Sequence, residues 1–372
     1  MIKQNCNPLD GCGQPNLFFR PFGFPDFPGD GEGGIFTPEY QTVIDYATLQ
    51  GYTLPSPANQ ANQNALVQGM IDTGIWQDLF VFYNFSTDGD RNFAKINWKN
   101  PGTFQGVEGG AMTFTPSLGF TGDGATGFIN TQWTPGWGVL TDSGFVASVV
   151  NSPADLAFPI LFGHYNGGLL YNQFSPLRSG AGGLLSFHST DINFESYGPN
   201  GFFQSYFSGN QIYLYRDAVQ VLTQALAPVG EAPLPIYLFA RNDSGVASVF
   251  SNNTAEMFAF GKSLIGKELL FRNGWNNYLT AGGIVANYKT PLISGPASVG
   301  STLTVVNIGQ WTNILTVAYQ WFRDGAPIVG ADNHNYILIG TDFGKTIACQ
   351  ITVTGPLGSR FVQSNQIGPV GI

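Results

Sequence analysis

Four small groups of residues have the types and spacing to do chemistry. In "STDGDRNF", Asp88, Asp90 and Asn92 stand at alternate positions, as at the start of a calcium-binding loop. Such a loop then needs Gly and, at its end, a bidentate Glu; this sequence has Phe93 and Lys99. Calcium is the one cofactor these residues suggest, and a polar turn explains them with fewer assumptions. In "STDINFES", Asp191, Asn193 and Glu195 fall on one face of a regular strand. Retaining glycoside hydrolysis needs two carboxyls ~5 Å apart. Here the middle position is Asn and position 189 is Ser, so a solvated strand face is expected and no catalytic residue is assigned.

The third group is Trp133 and Trp137 in "NTQWTPGWG", which could stack on sugar rings from a loop. Sandwich cores and interfaces also consume Trp, and Trp76, Trp98, Trp275, Trp311 and Trp321 are read as core. The fourth is Cys6 and Cys12, close enough to bridge; the sequence leaves open whether they do, and a reduced pair suits a cytosolic product. His164, His188 and His334 are scattered singly, so no metal-ligand cluster is expected. There is no Gly-x-Ser-x-Gly elbow, and "RSGAGG" and "GEGG" lack the context of a phosphate loop and read as turns. The chain is therefore expected not to be an enzyme.

The elements around these residues follow from composition. Of 372 residues, 43% are hydrophobic but only 10% are charged, against ~25% in ordinary soluble domains. The surface must be built from Asn, Gln, Ser, Thr and Gly, which suits a subunit with many neighbours. With 49 Gly and 23 Pro, short strands and many turns are expected. The net charge of −9 and the lack of basic runs argue against nucleic-acid binding. No apolar stretch is long enough to span a bilayer, and the start lacks the apolar core of a secretory signal. Synthesis in a cytoplasm is expected.

Along the chain, residues 1–36 read as an extended arm. Its "LFFRPFGFPDFPGDGEGG" sets Phe18, Phe19, Phe22, Phe24 and Phe27 among Pro and Gly, a combination that opposes regular structure yet is costly to leave in water. An arm laid across a partner surface is expected. Residues 37–80 carry helical patterns: Thr37 and Pro38 cap a run with Tyr40, Val43, Ile44 and Ala47 on one face. After "LPSPAN", Leu66, Val67, Met70 and Ile71 line a second helix that stops near Gly74. Residues 81–285 read as an antiparallel β-sandwich closed by a strand and a helix, "GGIVANYKTP" as a linker, and 291–372 as a second sandwich.

The order "GIWQDLFVFYNF", "AKINWKNP", "GFTGDGATGFINTQWTP" and "MFAFGKSLIGKELLFRNGWNNYLTA", with Phe258, Ala259 and Gly261 leading into a terminal helix, resembles the concanavalin-A-like (laminin-G-like) domain of phage structural proteins. The C-terminal part resembles the immunoglobulin-like modules appended to phage virion and bacterial surface proteins. That likeness rests on Gly295 to Gly300, Leu303 to Val305, Gly309, Trp311, Tyr319 to Gly325, Asp342 and Gly344. The resemblance implies a core cysteine pair, yet only Cys349 is present, and Ile347 replaces the tyrosine two residues before it. Cys349 is expected to pack as a buried thiol against Trp321, as in a module folded in a reducing compartment.

Together these resemblances imply a mainly β, non-enzymatic bacteriophage virion structural protein of the tail, fibre, collar or capsid surface. It would dock to other virion proteins through the arm, act as a homo-oligomer or in many copies, and hold host-surface glycans by multivalent contact. A free glycan-binding or glycan-cleaving protein, or a bacterial surface adhesin, is the alternative.

Overall fold

The computed structural model describes residues 36–135, 141–151, 159–167, 170–178, 182–187, 190–194, 200–227, 232–289 and 291–372. Residues 1–35 of the arm, with Phe18, Phe19, Phe22, Phe24, Phe27, Cys6 and Cys12, lie outside them, as do Trp137, His188 and Glu195. Helix α1, Pro38–Leu49, starts as its cap predicts: the Tyr40 amide donates to Thr37 Oγ1, and Tyr40, Val43, Ile44 and Ala47 are buried. Helix α2 runs Pro57–Asp72, so it starts inside "LPSPAN", well ahead of Leu66, where the apolar pattern opens. Its start repeats the same signal, with Ser56 as the cap and Pro57 in the first turn. Polar residues fill that turn because Asn59 and Gln63 are buried in hydrogen bonds rather than apolar contacts.

The described strands form two facing sheets and a smaller second sandwich, so the chain is mainly β as expected. In the first sheet the order is Val219–Ala225, Gln211–Arg216, Gly201–Ser208, Asp142–Val150, Thr254–Gly261, Gly119–Gly122 and Met112–Thr115, all antiparallel. Leu79–Asn84 also pairs with Thr254–Gly261. Phe145, Phe258 and Phe260 point into the layer between the sheets, where they meet Phe162 and Phe174 of the opposite sheet.

The other face of this sheet is buried too. Met257, Ala259, Val146 and Phe202 lie under α1, α2 and α4 (Glu268–Ala281) with Trp98 and Trp275. Thr254–Gly261 is consequently buried at all of its positions. The helical residues of 37–80 thus form a third layer on the sandwich rather than a segment ahead of it.

The C-terminal sandwich sets Leu292–Ser294, Thr302–Asn307 and Asn335–Ile337 against Ala326–Pro327, Thr316–Arg323, Ile347–Gly355 and Gly358–Gln363. Cys349 pairs in register with Trp321, and both are wholly buried with Leu303 and Ile351. Burial pushes the Cys349 thiol up to about 12. Asp342 is the polar anchor of this module. It accepts from Arg323 Nε (2.5 Å), the Tyr336 hydroxyl (2.9 Å) and the Ile339 amide (2.8 Å).

The stretch read as a linker joins the two cores. Ile284 and Ala286 enter the helix-covered core while Val285, between them, enters the C-terminal core. The free edge of the C-terminal module is closed by the first sandwich. Asn151 donates to the Ser359 carbonyl (2.9 Å) and accepts from the Phe361 amide (3.1 Å), copying a strand partner. Beside it Arg360 reaches the Glu256 carboxylate, whose other oxygen accepts from Ser148 Oγ at 2.6 Å. Both charged residues are almost wholly buried.

Candidate functional site

The calcium-like residues are engaged by the protein. Asp88 accepts from the Ser56 amide and from Asn59 Nδ2 (2.7 Å), so it holds the start of α2. Asp90 caps the short helix α3 (Arg91–Ala94) through the Asn92 and Phe93 amides and also accepts from the Thr53 amide. Asn92 is exposed on that helix. Among the described residues no group of three or more His, Cys, Asp or Glu gathers.

Trp133 is half-buried at one end of the main core, where its ring stacks on Phe260 at 5.3 Å and leans on Phe80 at 6.3 Å. A crevice of about 30 Å3 beside it is lined by Phe80, Phe145, Phe162 and Ile236, with Ser143 and Asn172 as polar neighbours. That is room for about one or two waters rather than a sugar ring. Trp76, Trp98, Trp275, Trp311 and Trp321 are buried.

The polar and aromatic groups that do converge lie on the outer face of the second sheet. Its described strands run Thr190–Phe194, Gly182–Phe187, Tyr171–Arg178, Phe162–Tyr165, Tyr237–Leu238, Phe128–Asn130 and Val107–Gly109, with Arg241–Asp243 also on Phe162–Tyr165. Alternation sends Ile192, Leu185, Phe174 and Phe162 inward, and so sends their neighbours outward. Strand register then lines up Asp191, Ser186, Gln173, Gly163, Arg241 and Ser248 across neighbouring strands. The adjoining row holds Tyr171, Tyr165 and Asp243.

Gly163 is the low point of this surface. A Cβ there would lie 2.8 Å from the Asn172 carbonyl oxygen and 2.9 Å from Gln173 Cβ. Without it, Arg241 spans the gap. Its Nη1 donates to Gln173 Oε1 (3.0 Å), and its Nε and Nη2 grip both oxygens of Asp243 (2.6 and 3.0 Å). Its guanidinium lies 5.0 Å from the centre of the Tyr165 ring, which meets Tyr171 edge to face at 5.8 Å. Ser248 Oγ donates to Asp243, and Ser186 Oγ donates to Asp191 at 2.5 Å. Burial raises the Tyr171 pKa, as does its hydrogen bond to the Asp191 carboxylate, so this hydroxyl is a lasting donor.

Two half-buried tyrosine rings, one fixed guanidinium and two carboxylates thus share a shallow face. Such a surface can stack the apolar side of a sugar ring and bond its hydroxyls. Of these residues the sequence reading singled out Asp191 with Asn193, and the structure puts both on the exposed side of an edge strand. The missed signal was the alternation in "FGHYNGGLLYNQF" and "ARND", whose polar positions share one face only once register is known.

No family model and no curated protein matches this chain. Among solved structures it is similar to domain 4 of AbnA, an extracellular arabinanase from Geobacillus stearothermophilus in complex with arabinotriose. The TM-score is 0.38 at 11% identity, over 52% of this chain and 98% of that one. A second is the CBM40 of the Ruminococcus gnavus IT-sialidase bound to α2,3 sialyllactose, with TM-score 0.31 at 10% identity over 37% and 83%. A third is the binding domain of botulinum neurotoxin DC in complex with SialylT, with TM-score 0.39 at 9% identity over 77% and 73%. Likenesses this distant carry no argument about what this chain binds.

Proposed function

We propose that this chain is a non-enzymatic glycan-binding protein, and that the Tyr165–Tyr171–Arg241 face of its main sandwich is the contact surface. The observation that carries the reading is the convergence of two tyrosine rings with Arg241, Gln173, Asp243 and Asp191 over Gly163. Each polar group on that face is oriented by another, so little order has to be gained on binding. The test is titration of the full chain with a broad set of oligosaccharides, by calorimetry or array, against Tyr165→Ala. Loss of one stacking ring should weaken binding ~5- to 30-fold, the range for ~1–2 kcal/mol of aromatic contact. Unchanged affinity in Tyr165→Ala would move the site elsewhere on the molecule.

A second reading adds the setting. We propose that the protein works on a bacteriophage particle, in many copies, with residues 1–36 as the docking arm. The support is the resemblance of both modules to phage structural proteins and the five Phe residues from Phe18 to Phe27 in the arm. Light scattering and binding to purified particles would compare the full chain with one starting at residue 37. Identical behaviour of the two would remove the arm from any docking role.

A further inference from the structure

We infer that the Tyr165–Tyr171–Arg241 face selects neutral glycans and discriminates against acidic ones, an inference that rests on the glycan-binding reading above. Recognition of a sialic or uronic acid by a protein commonly uses an Arg whose planar fork is open to the ligand carboxylate. On this face the fork is already occupied. Nε and Nη2 of Arg241 bind the two oxygens of Asp243, and Nη1 binds Gln173. An acidic sugar would have to share the guanidinium with a carboxylate that already neutralises it and that Ser248 also holds in place.

The charge count points the same way. Among the described residues on this face, Arg241 and Asp243 cancel, and Asp191 remains as an exposed carboxylate. The face therefore carries a formal charge of about −1, within a chain whose net charge is −9. A second carboxylate brought onto it meets repulsion, and among the described side chains of the face Arg241, already paired with Asp243, is the cation nearest to hand.

What the face does offer suits hydroxyl groups. A carboxylate accepts up to about four hydrogen bonds and a guanidinium donates five. Asp191 and Asp243 can each take a further hydroxyl hydrogen, and Arg241 has two N–H groups beyond the three bonds described. Neighbouring hydroxyls on one sugar ring could then bond carboxylate and guanidinium together while the ring lies against Tyr165 and Tyr171.

The experiment titrates the full chain with matched neutral and acidic ligands: lactose and sialyllactose, galactan and polygalacturonate oligomers, and neutral gluco- and arabino-oligosaccharides. The expected result is at least tenfold tighter binding of the neutral member of a pair. Asp191→Asn should narrow that ratio at least threefold, and high salt should narrow it too, because the discrimination is electrostatic. Equal or tighter binding of the acidic member would overturn this inference and leave the glycan-binding reading standing. Binding of none of the ligands would overturn both. Circular dichroism and thermal melting of Asp191→Asn, whose side chain is exposed, would verify that the variant is folded.

Discussion

Arg360→Ala should show that the two sandwiches are held together by a buried charge. Glu256 lies within the first sandwich and Arg360 comes from the edge strand of the second, and both are almost wholly buried. Removing the guanidinium leaves a carboxylate with Ser148 Oγ as its described side-chain donor. Breaking a buried pair from one side costs ~3–5 kcal/mol. An independent limit follows from protonation, because the stranded carboxylate can take up a proton instead of staying charged. From an ordinary Glu pKa of about 4.3, that costs ~1.36 kcal/mol per pH unit, so ~3.7 kcal/mol at pH 7 and ~1 kcal/mol at pH 5.

The sign follows from linkage. In the variant the folded-state pKa of Glu256 is raised above the unfolded value. The penalty is therefore absent below about pH 4.3 and grows as pH rises. Urea denaturation followed by tryptophan fluorescence should find Arg360→Ala ~3–4 kcal/mol less stable than wild type at pH 7 and ~1 kcal/mol less stable at pH 5. Arg360→Ala combined with Glu256→Gln should lose that pH dependence and recover part of the stability. A loss under ~1 kcal/mol at pH 7, or an equal loss at both pH values, would refute the claim that the pair is buried and coupled.

Two further outcomes follow from other sites. Burial pushes the Cys349 thiol to about 12, so in a Cys6→Ser, Cys12→Ser background it should resist a thiol reagent at pH ~8 until urea is added; rapid native labelling would mean that the module core is open. For Glu108, burial works to raise the pKa, but hydrogen bonds from Arg91 and Lys95 (2.7 Å for the Lys95 contact) prevail and hold it below the usual range. Its contribution is fully present above the unfolded value of about 4.3 and is lost as pH falls through the lower folded value. Since Arg91 is 43% exposed, Glu108→Gln should cost no more than ~1 kcal/mol at neutral pH. That cost should vanish in acid; a cost that persists there would point to packing instead.

Much of the fold was legible locally. The Thr37–Pro38 cap, the apolar face of α1 and the closing strand followed by α4 depend on neighbours within a few residues, and the sequence displays those directly. The match of Trp321 with Cys349 was also legible, because a strand spacing and a buried residue type survive without the partner cysteine. The start of α2 was harder. Its first turns are polar because they serve a hydrogen-bond network with Asp88 and Thr87, and apolar periodicity does not register such a network.

Sequence determined that this chain is built of strands, where α1 begins, and that its surface is poor in charge, since each is set by residue type and short-range spacing. Tertiary structure alone decided the rest. Trp133 became a core wall because Phe260, more than a hundred residues later, covers its ring. Residues 284–286 became a shared wall because two cores happen to lie on opposite sides of one strand-like stretch. The Tyr165–Arg241 face exists because register brings Arg241 beside Gly163 and Gln173 beside both. Pairings of that kind join residues distant in the chain, and a single sequence carries no record of which strand lies next to which.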